Sequence, residues 1–134
     1  MIVVKDESLP IKTSEDVVRV RQAVRGQAIA AGFSLVDQTK IVTAASEIAR
    51  NTLDYGGGGD VRIESLQNGA RHGVRLTFSD QGPGIADIAL ALTDGYTTGK
   101  GLGLGLSGAK RLSSEFAIDS KPGAGTKVTF ARWR

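Results

Sequence analysis

Residues 99–112 read GKGLGLGLSGAKRL. Positions 99–108 hold five glycines and three leucines, and the stretch then runs on into helix-forming residues. It is either a floppy linker or a loop whose backbone closes over a phosphate. Gly101, Gly103 and Gly105 alternate with Leu102, Leu104 and Leu106. A linker gains nothing from apolar residues that it must expose, so the leucines favour the loop. Backbone N–H groups at the start of a helix attract phosphate, and Lys100 could add a positive charge. The stretch fits neither familiar template. It lacks the GKS or GKT ending of a Walker loop, and no strand feeds directly into it as a dinucleotide fold requires. The rest of the chain has to decide.

Composition narrows the options. A chain of 134 residues, 40% hydrophobic and 23% charged, predicts a single globular domain over 1–134 with a sizeable core. The net charge is only +3, the basic residues are scattered, and the few aromatics are not interleaved with them. That pattern carries no nucleic-acid footprint. With no cysteine there is no disulfide frame and no thiolate chemistry, and a structural zinc site is disfavoured. No leader-like segment opens the chain and no apolar run approaches membrane-spanning length, so a cytoplasmic protein without membrane contact is expected. Glycine, at 18 residues, clusters at 56–59, 82–84 and 99–108, which suggests local tasks.

Periodicity supplies the elements. Residues 2–5 read as a short strand. Ser14 can cap a helix running to about Ala31, with Val17, Val20, Val24, Ala28 and Ala31 as its apolar stripe and Gly32 as its stop. A second helix starts after Ser34 and runs to about Tyr55, turning Ile41, Ala44, Ala45, Ile48 and Tyr55 inward. Strands at 61–66 and 74–80 flank Asn68-Gly69. A short helix is expected over 86–93 and another from about 105 to 116. Strands at 117–121 and 126–132 flank a PGAG turn. The order lacks the regular beat of a parallel sheet. It predicts an α+β two-layer sandwich with helices on one face of a mixed, mostly antiparallel sheet.

Three further constellations accompany the glycine-rich stretch. In EIARN, Glu47 and Asn51 stand four apart and share a helix face. A carboxylate and a neutral amide suit Mg²⁺, which takes hard oxygen ligands and completes its shell with water and phosphate. Taken alone, such a pair is most often a solvated helix face. In SDQGPGIAD, Asp80 follows Val74, Leu76 and Phe78 on the apolar face of a strand, where an unpaired charge is costly. The exocyclic amino group of a purine would satisfy it, and Gly82 and Gly84 would let the backbone approach the ring. The plain alternative is a strand end followed by a tight turn. Lastly, Thr126 shares a face with Val128 and Phe130, so it too is a polar group turned inward.

In this order and spacing the pieces resemble the GHKL superfamily of ATPases and kinases. Glu47 to Asn51 resembles its N box, Asp80-x-Gly82-x-Gly84 its G1 box, Gly101-x-Gly103-x-Gly105 its G2 box and ATP lid, and Gly125-Thr126 its last nucleotide contact. Nearly the whole chain is similar to the anti-sigma regulatory serine/threonine kinases, most of all the RsbT-type switch kinases, with the RsbW and SpoIIAB type as cousins. The resemblance implies a Bergerat fold that binds Mg-ATP between sheet and helices. It makes Asn51 the magnesium ligand and Glu47 the base. Asp80 becomes the adenine reader, assisted by Thr126. Gly82 and Gly84 shape the base pocket, and Lys100, Gly101, Leu102, Gly103, Leu104 and Gly105 form the lid. It implies a STAS-domain antagonist as phosphorylation substrate and a second partner that is a phosphatase or a sigma factor; a homodimer through a sheet edge would also be compatible. Two departures exclude histidine autophosphorylation. Asp54 stands where histidine kinases carry a lysine, and the single histidine, His72, falls at a hairpin. Two alternatives share these motifs: a nucleotide-gated module that sequesters a regulator without turnover, and a small α/β domain with no ligand.

Overall fold

The computed structural model describes residues 1–85, 87–92 and 102–134, with only the backbone described at 90, 91 and 102–105. The elements run β1 (Ile2–Ile11), α1 (Ser14–Ala30), α2 (Leu35–Asp54), β2 (Gly59–Asn68), β3 (Arg71–Asp80), α3 (Ile88–Ala91), α4 (Leu102–Arg111), β4 (Glu115–Ser120) and β5 (Thr126–Trp133). The strands form one five-stranded sheet in the order β1-β2-β3-β5-β4. Among the described residues every pairing is antiparallel, where the sequence predicts a mixed sheet.

Alternation along the strands makes the sheet two-faced. Val61 and Ile63 of β2, Val74, Leu76 and Phe78 of β3, and Val128 and Phe130 of β5 are buried on the face that meets the helices. They join Val17, Val20, Val24 and Ala28 of α1 and Ile41, Ala44, Ala45 and Ile48 of α2 in one core. Phe78 and Phe130 stack with ring centroids 6.3 Å apart. The opposite face carries a polar ladder: Arg62 forks onto Asp6 (3.0 and 2.7 Å) and Arg75 onto the buried Glu64 (3.0 and 3.2 Å).

Several boundaries differ from the sequence expectation. β1 has ten residues, because its polar half is satisfied residue by residue. Glu7 points inward and accepts from Gln27 Nε2 (2.9 Å), Asp6 points outward to Arg62, and Pro10 is tolerated because β1 is an edge strand. Thr13, not Ser14, caps α1. Its hydroxyl accepts from the Asp16 N–H while Asp16 Oδ2 accepts from the Thr13 N–H, a reciprocal capping box. The N–H of Lys12 (2.9 Å), then the Arg19 guanidinium (2.7 Å) and the N–H of Thr13, hold the Asp16 carboxyl below the usual aspartate range. Tyr55 is 38% exposed rather than inward, since the last turn of α2 runs past the edge of the core. α4 begins at Leu102 and ends at Arg111, so Gly103 and Gly105 lie in helix and Phe116 belongs to β4.

Candidate functional site

α2 buries Ile48, Ala49 and Thr52, which leaves Glu47 exposed and Asn51 half-buried one turn apart on the adjoining face. Arg50 pairs with Asp54 (3.8 Å) and reaches the Ser14 hydroxyl at the start of α1 (3.4 Å). The backbone carbonyl of Asn51 accepts the N–H groups of both Tyr55 (3.0 Å) and Gly56 (3.2 Å), and the Thr52 carbonyl accepts that of Gly58 (2.9 Å). The helix thus winds off into the four glycines, which carry the chain to the end of β3.

At that end Asp80 is the direct cross-strand partner of Thr126. Both side chains are half-buried on the helix-facing side, as strand alternation predicts. Burial raises the Asp80 carboxyl above its ordinary 3.8, while the N–H groups of Gly82 (2.9 Å to Oδ1) and Thr126 pull it back. A carboxylate and a hydroxyl therefore stand side by side at the strand ends, next to Phe78 and Val128, with lone pairs left over for a further donor.

The raised Asp80 carboxyl gives a pH prediction with two opposite signs. An aspartate raised in the folded state adds stability below its unfolded value near 3.8 and loses it as pH rises through the folded value. A purine amino group bound to the carboxylate would favour the ionised form. For a purine nucleotide whose amino group sits on that carboxylate, affinity falls by up to about tenfold per pH unit as pH descends through the raised value. In the same window wild type should gain stability relative to Asp80→Asn. Calorimetric titration and thermal melts between pH 4 and 8 read both slopes; a flat affinity would remove Asp80 from the binding site.

The structure also gives a role to Gly56, the first of the four glycines at 56–59 that the sequence left without one. A Cβ on Gly56 would lie 2.6 Å from Asp80 Oδ2 and 2.7 Å from Asp80 Cβ. One on Gly82 would lie 2.6 Å from the Gly56 Cα. Gly56 and Gly82 thus leave the Asp80 carboxylate bordered by bare backbone. Gly84 needs to be glycine on backbone grounds as well. It adopts a φ of 76° against the Lys121 carbonyl, where the Gly123 N–H also donates to Pro83 (2.7 Å). Ser120 was missed too. Its hydroxyl lies 2.9 Å from that of Thr126 and accepts the Ile85 N–H (2.8 Å). Its partners come from two segments, Ile85 and the adjacent Gly125 and Thr126, and the first lies 35 residues away, so no local pattern announces it. Lys100 and Gly101 lie outside the described residues. Leu102, Gly103, Leu104 and Gly105 are described as the first turn of α4, by backbone alone.

The class follows from these findings. The chain belongs to the family of histidine kinase-, DNA gyrase B- and HSP90-like ATPases, whose model matches residues 36–134, from the start of α2 through β5. Within that class it is 44% identical over 123 residues to the serine/threonine-protein kinase RsbT of Bacillus subtilis (strain 168), covering 92% of each chain. Among solved structures it is similar to the RsbU and RsbW domains of Rv1364c from Mycobacterium tuberculosis (TM-score 0.64, 21% identity), covering 98% of this chain and 33% of that longer one. It is also similar to the SiaB-SiaC complex of Pseudomonas aeruginosa (TM-score 0.57, 16% identity), covering 98% of this chain and 91% of that one. At these identities the two structures speak for the fold. No helix among the described residues is long and apolar enough to cross a membrane.

Proposed function

We propose that the protein is an ATP- and magnesium-dependent protein serine/threonine kinase that phosphorylates a STAS-domain antagonist in a cytoplasmic partner-switching pathway of bacterial stress signalling. The observation that carries this reading is the placement of Glu47: an exposed carboxylate one turn before Asn51, on the helix whose end delivers Gly56 to Asp80. The 44% identity to a serine/threonine-protein kinase over nearly the full length supports it. Phosphorylation of the antagonist would free the kinase for a second partner, a phosphatase or a sigma factor.

The donor set fits the ligands. Asn51 and Glu47 offer hard oxygens, and Asp80 with Thr126 offers acceptors beside a glycine-bared backbone. The amide oxygen of Asn51 would hold Mg²⁺, which neutralises charge on phosphate oxygens. Asp80 and Thr126 fix the purine, so the γ-phosphoryl group is presented in one place. The remaining work is positioning and proton transfer, which is what phosphoryl transfer requires of a protein. The partner's serine or threonine oxygen bonds to the γ-phosphorus, the bond from phosphorus to ADP breaks, and Glu47 takes the hydroxyl proton. A pocket without a base would suit a regulator-sequestering module equally well; Glu47 and the kinase relative favour the enzyme.

Thermal unfolding tests the nucleotide site. A ligand that binds only the folded state at about 100 times its Kd adds about 2.7 kcal/mol. Mg-ATP should raise the Tm of wild type and leave that of Asp80→Asn unmoved. An unmoved wild-type Tm would leave a small α/β domain without this ligand.

A further inference from the structure

The reading above rests on Asp80 and Thr126 facing a purine, and the hydrogen bonds behind Thr126 carry it one step further. Ser120, at the end of β4, is the direct cross-strand partner of Thr126, on the side away from Asp80. Its Oγ has three polar neighbours: the Ile85 N–H at 2.8 Å, the Gly125 carbonyl at 2.9 Å and the Thr126 hydroxyl at 2.9 Å. A hydroxyl has one proton and two lone pairs. The Ile85 N–H can only donate and the Gly125 carbonyl can only accept, so they take one lone pair and the proton. The lone pair that remains must receive the proton of Thr126. All three contacts are satisfied in one arrangement only: Thr126 donates to Ser120, and Ser120 donates to Gly125.

Thr126 has then spent its only proton and faces the site with lone pairs alone. We infer that Ser120 is a specificity-determining positioning residue: by fixing the Thr126 hydroxyl as an acceptor beside the Asp80 carboxylate, it makes the site read a 6-amino purine and reject a 6-oxo purine. Asp80 alone would be an incomplete filter. A hydroxyl free to rotate beside it could turn its proton toward an oxo group and recover part of the lost binding. Ser120 removes that freedom without touching the nucleotide. Its own neighbours hold it, since Ile85 packs against the core and Gly125, at a φ of 77°, is buried against the Asp80 carbonyl.

The test is the ratio of Mg-ATP to Mg-ITP affinity, measured by calorimetry or competition on wild type, Ser120→Ala and Ser120→Thr. Hypoxanthine replaces the 6-amino group with an oxo group and adds nothing at position 2. Ser120→Ala should lower the ratio by about tenfold, the worth of one hydrogen bond whose polarity the site no longer fixes. Ser120→Thr keeps the relaying hydroxyl on a residue suited to a strand and should restore the wild-type ratio. A ratio cancels any change in the folded fraction, so a merely structural Ser120 would lower both affinities together and leave it unmoved. That result, or a ratio that rises, overturns the inference while the nucleotide site stands. Wild type that binds neither nucleotide, or both equally, would instead sink the purine-reading site itself.

Discussion

Glu47→Ala should bind Mg-ATP with wild-type affinity yet transfer its γ-phosphate at least about 100-fold more slowly, the lower end of what a positioned acid–base group contributes. The separation follows from geometry. Glu47 is exposed on α2 and is no part of the core, whereas Asp80 and Thr126 stand at the ends of β3 and β5. Truncating Glu47 removes a carboxylate and leaves Asp80 and Thr126 in place. Because Glu is replaced by a better helix former on an exposed face, α2 should lose nothing. Glu47→Gln keeps the shape and a hydrogen-bonding oxygen but cannot take a proton, so it should fall nearly as far. If Gln restores the rate, Glu47 positions a group and is not the base. The readouts are single-turnover transfer and, separately, nucleotide affinity; loss of affinity in either variant would assign Glu47 to binding.

Gly56→Ala should abolish tight nucleotide binding with little loss of fold. The added carbon meets Asp80 along its length, at Cβ, Cγ and Oδ2, so a simple swing of the carboxylate does not relieve the contact. Either Asp80 is displaced or the chain after α2 moves. A shift of about 1 Å at a positioned group can cost about 100-fold, and that is the expected drop in Mg-ATP affinity. Overpacking of this kind costs about 1–3 kcal/mol of stability. Gly57 is the internal control. Its φ of 76° strains any side chain, but a Cβ there meets nothing within 4 Å. Gly57→Ala should cost about 1 kcal/mol of stability and leave nucleotide affinity unchanged. If the two variants bind Mg-ATP alike, Gly56 does not shape the site.

Gly56 and Ser120 also show where a sequence stops being informative. Period-two alternation placed Asp80 and Thr126 on one face of their strands, and the structure pairs them directly. Period 3.6 placed Glu47 and Asn51 together, and the stripes from Val17 to Ala28 and from Ile41 to Ile48 are core. These are local regularities that a pattern can carry. The contact of Gly56 with Asp80 joins residues far apart in sequence, and a glycine run says only that side chains are absent. Ser120 needs Ile85, Gly125 and Thr126 at once. β1 reads as a short strand until Gln27 and Arg62 are known to satisfy its polar half. The start of α4 was missed for a related reason. Glycine propensity argues against helix at Gly103 and Gly105, yet α4 begins at Leu102 and presents Leu106 and Ala109 to the core, so tertiary packing overrides the local preference.

The central claim is turnover on a protein hydroxyl, and one measurement bears on it most directly. The purified protein, at a small fraction of the partner's concentration, is mixed with γ-labelled ATP, Mg²⁺ and the STAS-domain proteins of the same genome, in parallel with Glu47→Ala. The account predicts label on a serine or threonine of one of them, many equivalents per chain, and none with the variant. Nucleotide bound without label, alongside a stoichiometric complex with a regulator, would contradict it and make the protein a switch that holds its partner rather than a kinase that modifies it.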